Sequence, residues 1–207
     1  MTIELSGNKL TKVFNRRMIF EDISFSLRHQ NTLLISGPNG SGKSTLVKMI
    51  SGVLTPTKGE VRVTLEGEDA LPSLHSIIGL VSPYLQMYDE FTARENLQFF
   101  LAARGLRNLE PEIQPLLEQL QLKGRLDEPV RTFSSGMKQR VKYAFALIHH
   151  PPILILDEPM SNLDVKGTEL VKEIMRRQRQ EGVLIVATND VTDVETFDQR
   201  VDLGKSS

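Results

Sequence analysis

The chain has 207 residues, enough for one domain with a sizeable hydrophobic core. Its 25 basic and 26 acidic residues nearly balance, so the charge gives no sign of a nucleic-acid partner. Cysteine is absent, which excludes disulfides and thiol chemistry, and the longest apolar runs, about five residues, are far below the roughly 20 that a membrane helix requires.

The sequence predicts strands of two kinds. Residues 3–27 and 61–65 alternate in places between apolar and polar residues, which predicts antiparallel strands with one buried face. Residues 33–36, 77–81, 153–157 and 183–187 are short apolar runs, as expected of parallel strands covered on both faces. We therefore predict an α/β fold with a parallel or mixed core sheet and an antiparallel β subdomain.

A glycine-rich turn follows the run at 33–36 and precedes an amphipathic run at 46–50. Its spacing is G-x-x-x-x-G-K-S, in which glycines let N–H groups turn toward phosphate oxygens and the helix start adds positive charge. We expect Lys43 to reach the β- and γ-phosphates of a nucleoside triphosphate and Ser44 to hold Mg²⁺; the motif alone is compatible with a kinase, a GTPase, a helicase or a transporter motor. The predicted nucleotide-binding residues of this P-loop (Walker A) are Gly37, Pro38, Asn39, Gly40, Ser41, Gly42, Lys43, Ser44 and Thr45.

Helical periodicity dominates residues 91–150, and a further helix is predicted over 165–180. Pro111, Pro115 and Pro129 are expected to break the first stretch into short helices. We predict a single domain over 1–207, with a core at about 1–82 and 147–207 and an inserted helical subdomain at about 83–146.

Two acids end the run at 153–158, which reads Ile-Leu-Ile-Leu-Asp-Glu. Ligands bind outside the carboxyl ends of parallel strands, so Asp157 is predicted to hold Mg²⁺ and Glu158 to act as general base on an attacking water. The alternative is an ordinary core strand followed by surface acids, and the phosphate loop makes that alternative the weaker one.

Residues 133–140 read Phe-Ser-Ser-Gly-Met-Lys-Gln-Arg and precede the acids by about twenty residues. At this point the chain resembles the ATP-binding-cassette (ABC) ATPase family, which carries Leu-Ser-Gly-Gly-Gln here. Ser134 and Gly136 match this signature, whereas Ser135 and Met137 depart from it. The resemblance implies that the signature binds the γ-phosphate of ATP held by a second copy, in a head-to-tail dimer with two ATP molecules.

Other parts of the chain resemble the same family. Residues 161–164 look like the loop that crosses the dimer interface, with Asp164 in its acidic place. Phe14 looks like the aromatic residue that stacks on adenine, although such an aromatic is as often core filler.

Two positions depart from the family pattern. Pro83 stands where the family has a glutamine that senses Mg²⁺ and the membrane partner, with Gln86 three residues later in this coupling loop. Asn189 stands where the family has a histidine that contacts the γ-phosphate. An amide still donates a hydrogen bond but carries no charge. The alternative is that Asn189 caps the segment that follows it.

The resemblance implies an ATP-hydrolysing subunit that drives export through a separate membrane subunit. No basic-then-apolar leader opens the chain, so we expect it in the cytoplasm, peripheral on the inner membrane. Short matches at 18–25 and 164–167 resemble the haem exporter of cytochrome c maturation, which makes haem an expected cargo beside a generic one. The alternative function is a non-transport, nucleotide-dependent switch with slow turnover.

Overall fold

The computed structural model describes residues 2–204, so both ends of the predicted 1–207 domain lie outside the described residues. The strands are β1 (Ile3–Phe14), β2 (Arg17–Arg28), β3 (Thr32–Ser36), β4 (Lys58–Leu65), β5 (Glu68–Asp69), β6 (Ile78–Val81), β7 (Ile153–Asp157), β8 (Val183–Thr188) and β9 (Gln199–Asp202). The α-helices are α1 (Lys43–Ile50), α2 (Leu74–Ile77), α3 (Ala93–Ala103), α4 (Ile113–Gln119), α5 (Ser135–Leu147) and α6 (Val165–Glu181).

The central sheet is parallel, with strand order β6-β7-β8-β3-β9. Every residue of β3, β7 and β8 is buried, as the continuous apolar runs predict. The pairing places Asp157 beside Ala187 and Ser36 beside Thr188. The turn after β3 and the acids after β7 therefore leave the same edge of the sheet.

A second, antiparallel sheet has the order β2-β1-β4-β5. The two sheets and the helices form two clusters of buried side chains, one on each face of the parallel sheet. Along β3, Leu33 and Ile35 pack with the antiparallel sheet and α1, whereas Leu34 packs with α3 to α6. This arrangement confirms the predicted α/β fold with an antiparallel sheet and helices.

The prolines of the helical stretch act differently from one another. Pro111 lies near the end of a 3₁₀ helix (Arg107–Glu112), and Pro129 directly precedes another (Val130–Thr132), so a helix ends near the first proline and a helix begins after the second. Pro115 instead lies in the first turn of α4, where a missing N–H breaks no helical hydrogen bond. The prediction of a break at Pro115 is therefore wrong.

The predicted division of the chain at about 82 and 147 stays a prediction, although α3, α4 and most of α5 fall within it. Between residues 2 and 204, no helix combines the length and the apolar character that crossing a membrane demands.

Candidate functional site

The turn between β3 and α1 is shaped by glycines. Gly40 and Gly42 have φ angles of 82° and 103°, a region that is open to glycine at little cost. A Cβ on Gly42 would lie 2.5 Å from Cγ2 of Ile19, so this glycine also lets β2 pack directly against the turn. No side chain of the described chain caps the N-terminus of α1. Its first N–H groups are therefore free to face an anion.

Lys43 is the cation of this turn. Its side chain is 5% exposed, and its Nζ donates to the carbonyl oxygens of Gly37, at 2.8 Å, and Pro38, at 3.3 Å. The same Nζ lies 3.3 Å from Oε1 of Glu158. The turn and the end of β7 thus converge on one buried ammonium group.

Asp157 is a buried carboxylate at the end of β7. It is 1% exposed, and within the part of the chain that the structure describes neither of its oxygens has a hydrogen-bond partner. Burial raises the pKa of Asp157, while the Ser44 hydroxyl and the ammonium groups of Lys43 and Lys48 oppose that shift. A buried, unpartnered carboxylate is costly, and a hard divalent cation with oxygen ligands would satisfy it. Asp157 and Ser44 therefore fit Mg²⁺.

Glu158 follows in an uncommon backbone conformation. Its φ angle is 51°, which is rare for a residue with a side chain and is found often at functional sites. The Glu158 N–H donates to the carbonyl oxygen of Ala187 at 2.8 Å, which fixes this conformation against β8. Its side chain is 24% exposed beside Lys43, so the carboxylate is reachable by water.

The signature residues begin α5. Ser134 is the N-cap of this helix, and its Oγ accepts a hydrogen bond from the Met137 N–H at 3.3 Å, so the hydroxyl proton remains free to donate. A Cβ on Gly136 would lie 3.1 Å from the Asn162 carbonyl oxygen, so a glycine suits this close approach. Ser135 is exposed, and Met137 packs on the helical core in place of the family's glutamine.

The predicted interface loop is tied to α5 by an ion pair. Asp164 caps α6, with Oδ1 accepting from the Gly167 N–H at 2.7 Å and from Nη2 of Arg140 at 3.0 Å. The hydrogen bond from Gly167, with the charge of Arg140, lowers the pKa of Asp164. Signature and interface loop are therefore parts of one packed unit.

Phe14 ends β1 and is 43% exposed, with Nζ of Lys12 4.8 Å from its ring centroid. The ring is open to a ligand on the antiparallel sheet, and stacking on adenine stays a prediction. Pro83 and Gln86 are both exposed in the loop after β6.

Asn189 is exposed directly after β8. The 3₁₀ turn that follows, Val191–Asp193, is capped by Asp190, whose carboxylate accepts from the Thr192 N–H at 2.9 Å. The alternative assignment of Asn189 as a cap is therefore wrong. Its contact with a phosphate stays a prediction.

Two residues that the sequence analysis did not single out contribute to this region. Tyr143 is fully buried in α5, and its hydroxyl donates to the carbonyl oxygen of Pro159 at 3.0 Å, directly after Glu158. Burial raises the pKa of Tyr143 far above its usual value. In the sequence this tyrosine is indistinguishable from core filler. The second residue is Ile19, which packs against the turn and lies in an ordinary strand pattern. The sequence therefore offers no indication of the role of either residue.

Comparisons with known proteins agree with this geometry. The sequence model of the family described as "ABC transporter" matches residues 20–161. Nod factor export ATP-binding protein I of Sinorhizobium fredii is 37% identical over 191 residues, covering 91% of this chain and 55% of that protein. Linearmycin resistance ATP-binding protein LnrL of Bacillus subtilis is 32% identical, covering 89% of this chain and 60% of that protein.

A solved structure, titled as the ATP binding subunit of an ABC transporter, superposes with a TM-score of 0.79 at 28% identity. It covers 91% of this chain, and this chain covers 80% of it. The chain thus spans between half and two thirds of the length of these two curated relatives.

Proposed function

Because the chain belongs to the ABC transporter family, we propose that it binds and hydrolyses ATP to drive export through a separate membrane subunit. The observation that carries this proposal is the convergence of Lys43, Asp157 and Glu158 at one edge of the parallel sheet. A buried cation, an unpartnered buried carboxylate and a partly exposed carboxylate are the groups that phosphoryl transfer to water requires.

Binding of ATP begins at the turn after β3. Its N–H groups and the start of α1 surround the phosphates, and Lys43 neutralises charge on the β- and γ-phosphates. Phosphate oxygens compete with Glu158 for the Lys43 ammonium, because both bind the same Nζ. ATP binding thereby frees the Glu158 carboxylate for chemistry.

Ser44 and Asp157 would hold Mg²⁺ with their hydroxyl and carboxylate oxygens. When it is bound, the ion would supply positive charge that offsets the negative charge of the phosphates. Asp157 is pre-positioned for this role, since its oxygens have no competing partner among residues 2–204.

Glu158 then acts as general base. Its carboxylate accepts a proton from water as the water oxygen bonds to the γ-phosphorus; the bond from the γ-phosphorus to the β,γ-bridging oxygen breaks, and ADP leaves with that oxygen. Asn189, after the neighbouring strand β8, supplies an amide N–H to the γ-phosphate and helps to orient the attacking water.

A second copy of the chain completes the site. In a head-to-tail dimer, the free Ser134 hydroxyl and the Gly136 N–H at the start of α5 donate to the γ-phosphate of the partner. The loop at 161–164 packs against the same helix start, so it would lie in that interface.

The membrane subunit would dock on an apolar surface beside the loop after β6. A cavity of about 340 Å³ opens there, lined among others by Val53, Leu80, Tyr84 and Phe100. Tyr88, in the same loop, contacts both Phe91 and Phe99, and each of the three rings is 40% exposed or more. Contiguous exposed aromatics of this kind mark protein interfaces. We propose that the chain lies, together with that subunit, on the cytoplasmic face of the inner membrane.

The cargo is proposed only as a small molecule. One relative named above is called a Nod factor export protein, and the other is called a linearmycin resistance protein. These names refer to the cargo or role of those proteins and do not identify the cargo of this chain. Haem export rests on the short matches at 18–25 and 164–167 alone, and neither name supports it.

A slow nucleotide-dependent switch is the second candidate. Pro83 and Asn189 are compatible with it, because both replace residues on which the family relies for coupling and phosphate contact. The names of the relatives, an export protein and a resistance protein, favour the motor instead.

Phosphate release by the purified chain, with ATP and Mg²⁺ and again with a chelator, tests the proposal. Magnesium-dependent release supports the motor. Tight ATP binding without release would favour the switch, and the absence of ATP binding would contradict both.

A further inference from the structure

The loop after β6, residues 82–91, contains no helix or strand yet is held at several points. It begins with a turn in which the Leu85 N–H donates to the Ser82 carbonyl oxygen at 3.1 Å and the Tyr84 N–H donates to Ser82 Oγ at 3.3 Å. Serine at the first position and Pro83 at the second are the residues that such a turn favours. We call residues 82–91 the 82–91 segment.

Helix α3 holds the far end of the 82–91 segment. Asn96 is 2% exposed; its Oδ1 accepts from the Tyr88 N–H at 2.9 Å, and its Nδ2 donates to the carbonyl oxygens of Tyr88 and Phe91 at 3.0 and 3.3 Å. On the other side, Nζ of Lys48 in α1 lies 4.4 Å from the ring centroid of Tyr84. The aromatic surface of the segment is therefore fixed rather than loosely attached.

Two lysines of α5 attach the 82–91 segment to the signature helix. Lys138 and Lys142 are four residues apart and so lie on one face of the helix. Nζ of Lys142 donates to the carbonyl oxygens of Ser82 at 3.3 Å and Pro83 at 3.1 Å. Nζ of Lys138 pairs with Oδ1 of Asp89 at 2.8 Å. The lysines therefore hold both the start and the end of the segment.

Lys142 has a less usual environment than Lys138, which pairs with an acidic side chain. Burial lowers the pKa of Lys142, and no acidic group of the described residues counteracts this shift. Its half-buried charge is satisfied by the two backbone carbonyl oxygens of the turn. A half-buried ammonium that lacks an acidic partner is costly unless it is hydrogen-bonded, so this contact restrains both partners.

The same helix is connected to two reaction sites of the proposed dimer, that of the second copy at its start and that of its own chain near Tyr143. It begins at the Ser134 cap, and Tyr143, next to Lys142, donates to the carbonyl oxygen that follows Glu158. Any displacement of the 82–91 segment that Lys142 transmits would therefore move α5, which carries the signature.

We propose that Lys142, assisted by Lys138, is a positioning residue that fastens the 82–91 segment to α5 and so sets the position of Ser134 for ATP on a second copy. This inference rests on the proposed function. Pro83 has no side-chain hydrogen-bond donor. The link between the 82–91 segment and α5 is made instead by Nζ of Lys142, which donates to backbone carbonyl oxygens of the turn.

Amide hydrogen exchange of the full chain tests the link without requiring hydrolysis. Lys142→Met should speed exchange at Tyr84 and Leu85 in the turn, and also at Met137 and Lys138, whose N–H groups bond to Ser134. Exchange at Leu46 in α1 should stay unchanged. The matched control is Lys123→Met, at an exposed lysine between α4 and α5. Faster exchange confined to the turn, with the first turn of α5 unaffected, would overturn the proposal.

Steady-state hydrolysis provides the second readout. Lys142→Met should lower kcat by about two- to thirtyfold, the range for residues that couple sites, while KM for ATP changes less than about twofold. Lys142→Arg should restore kcat, because a guanidinium can also donate to both carbonyl oxygens. An unchanged kcat in Lys142→Met, or a loss that Lys142→Arg does not restore, would contradict the role.

Two further outcomes are distinguishable. If the wild-type chain does not hydrolyse ATP, the proposed function fails, and hydrogen exchange alone decides the role of Lys142. If Lys142→Met does not fold, Lys142→Gln is measured by exchange in the same way, since its shorter amide cannot span the same distance.

Discussion

Nζ of Lys43 lies 3.3 Å from Oε1 of Glu158, so the cation of the phosphate-binding turn and the carboxylate at the end of β7 share one contact. The contact follows from topology: β3 and β7 flank β8 in a parallel sheet, and their carboxyl ends leave the same edge. A phosphate that binds Nζ of Lys43 therefore acts directly on Glu158, the proposed base, because both anions contact the same ammonium group.

Removal of the Lys43 charge should weaken nucleotide binding. Lys43→Ala is expected to lower ATP affinity by about ten- to a hundredfold, the range for hydrogen bonds to a charged group. Titration with a fluorescent ATP analogue measures this, with Lys123→Ala as the matched control at an exposed site. Unchanged affinity in Lys43→Ala would remove the lysine from the phosphate site.

Ser44→Ala should separate metal from nucleotide binding. The change removes one oxygen ligand beside Asp157, so magnesium-dependent hydrolysis should fall more than ATP affinity does. Affinity is measured with Mg²⁺ and again with a chelator. An equal loss of affinity under both conditions would argue against the metal role.

Asn189 is expected to act on the reaction and not on the fold. Asn189→Ala should lower turnover at an unchanged melting temperature, because the phosphate donor is lost while the neighbouring cap is retained. Asn189→His should preserve or raise turnover, since an imidazole presents the same donor and can carry charge.

Asp190→Ala is the matched control for Asn189→Ala. Loss of the cap at Asp190 should cost stability, by about 1 kcal/mol. Turnover of Asn189→Ala that equals wild type would exclude Asn189 from the active site.

His149 makes folding stability depend on pH. Burial of its ring and the nearby Arg104 lower its pKa from 6.5 to about 4, while its Nε2 bonds to the Ile78 carbonyl oxygen. The unfolded chain takes up this proton more readily than the folded chain does. Stability is therefore retained above pH 6.5 and is lost as the pH falls toward 4.

Melting temperatures of His149→Gln between pH 7 and pH 4 test this. The variant should lose less stability across that range than wild type, because glutamine does not titrate. His75→Gln, at an exposed histidine, should follow wild type. A His149→Gln curve parallel to wild type would contradict the assignment.

The strands and the position of Asp157 at the end of β7 could be predicted because each depends on local pattern. The apolar runs at 153–157 and 183–187 coincide with buried strands to within one residue, and the Gly42–Lys43 turn follows its strand as its spacing predicts. The role of Pro115 could not be predicted, because it depends on where α4 begins.

Contacts between distant segments could not be predicted either. Lys142 and the Ser82 carbonyl oxygen are 60 residues apart, and backbone acceptors leave no trace in a side-chain pattern. The Arg140–Asp164 pair was missed for a similar reason, since in a sequence an arginine and a distant aspartate are each compatible with a solvated surface. Sequence patterns report which face is buried, whereas these links depend on how α5 is oriented.

The central claim is that Glu158 activates water for ATP hydrolysis, and Glu158→Gln tests it most directly. The amide keeps the shape of the side chain but cannot accept the proton. ATP binding should therefore persist while hydrolysis slows by about a hundredfold or more, and an ATP-bound dimer should accumulate in gel filtration with Mg²⁺. Hydrolysis by Glu158→Gln at a rate near that of wild type would contradict the claim.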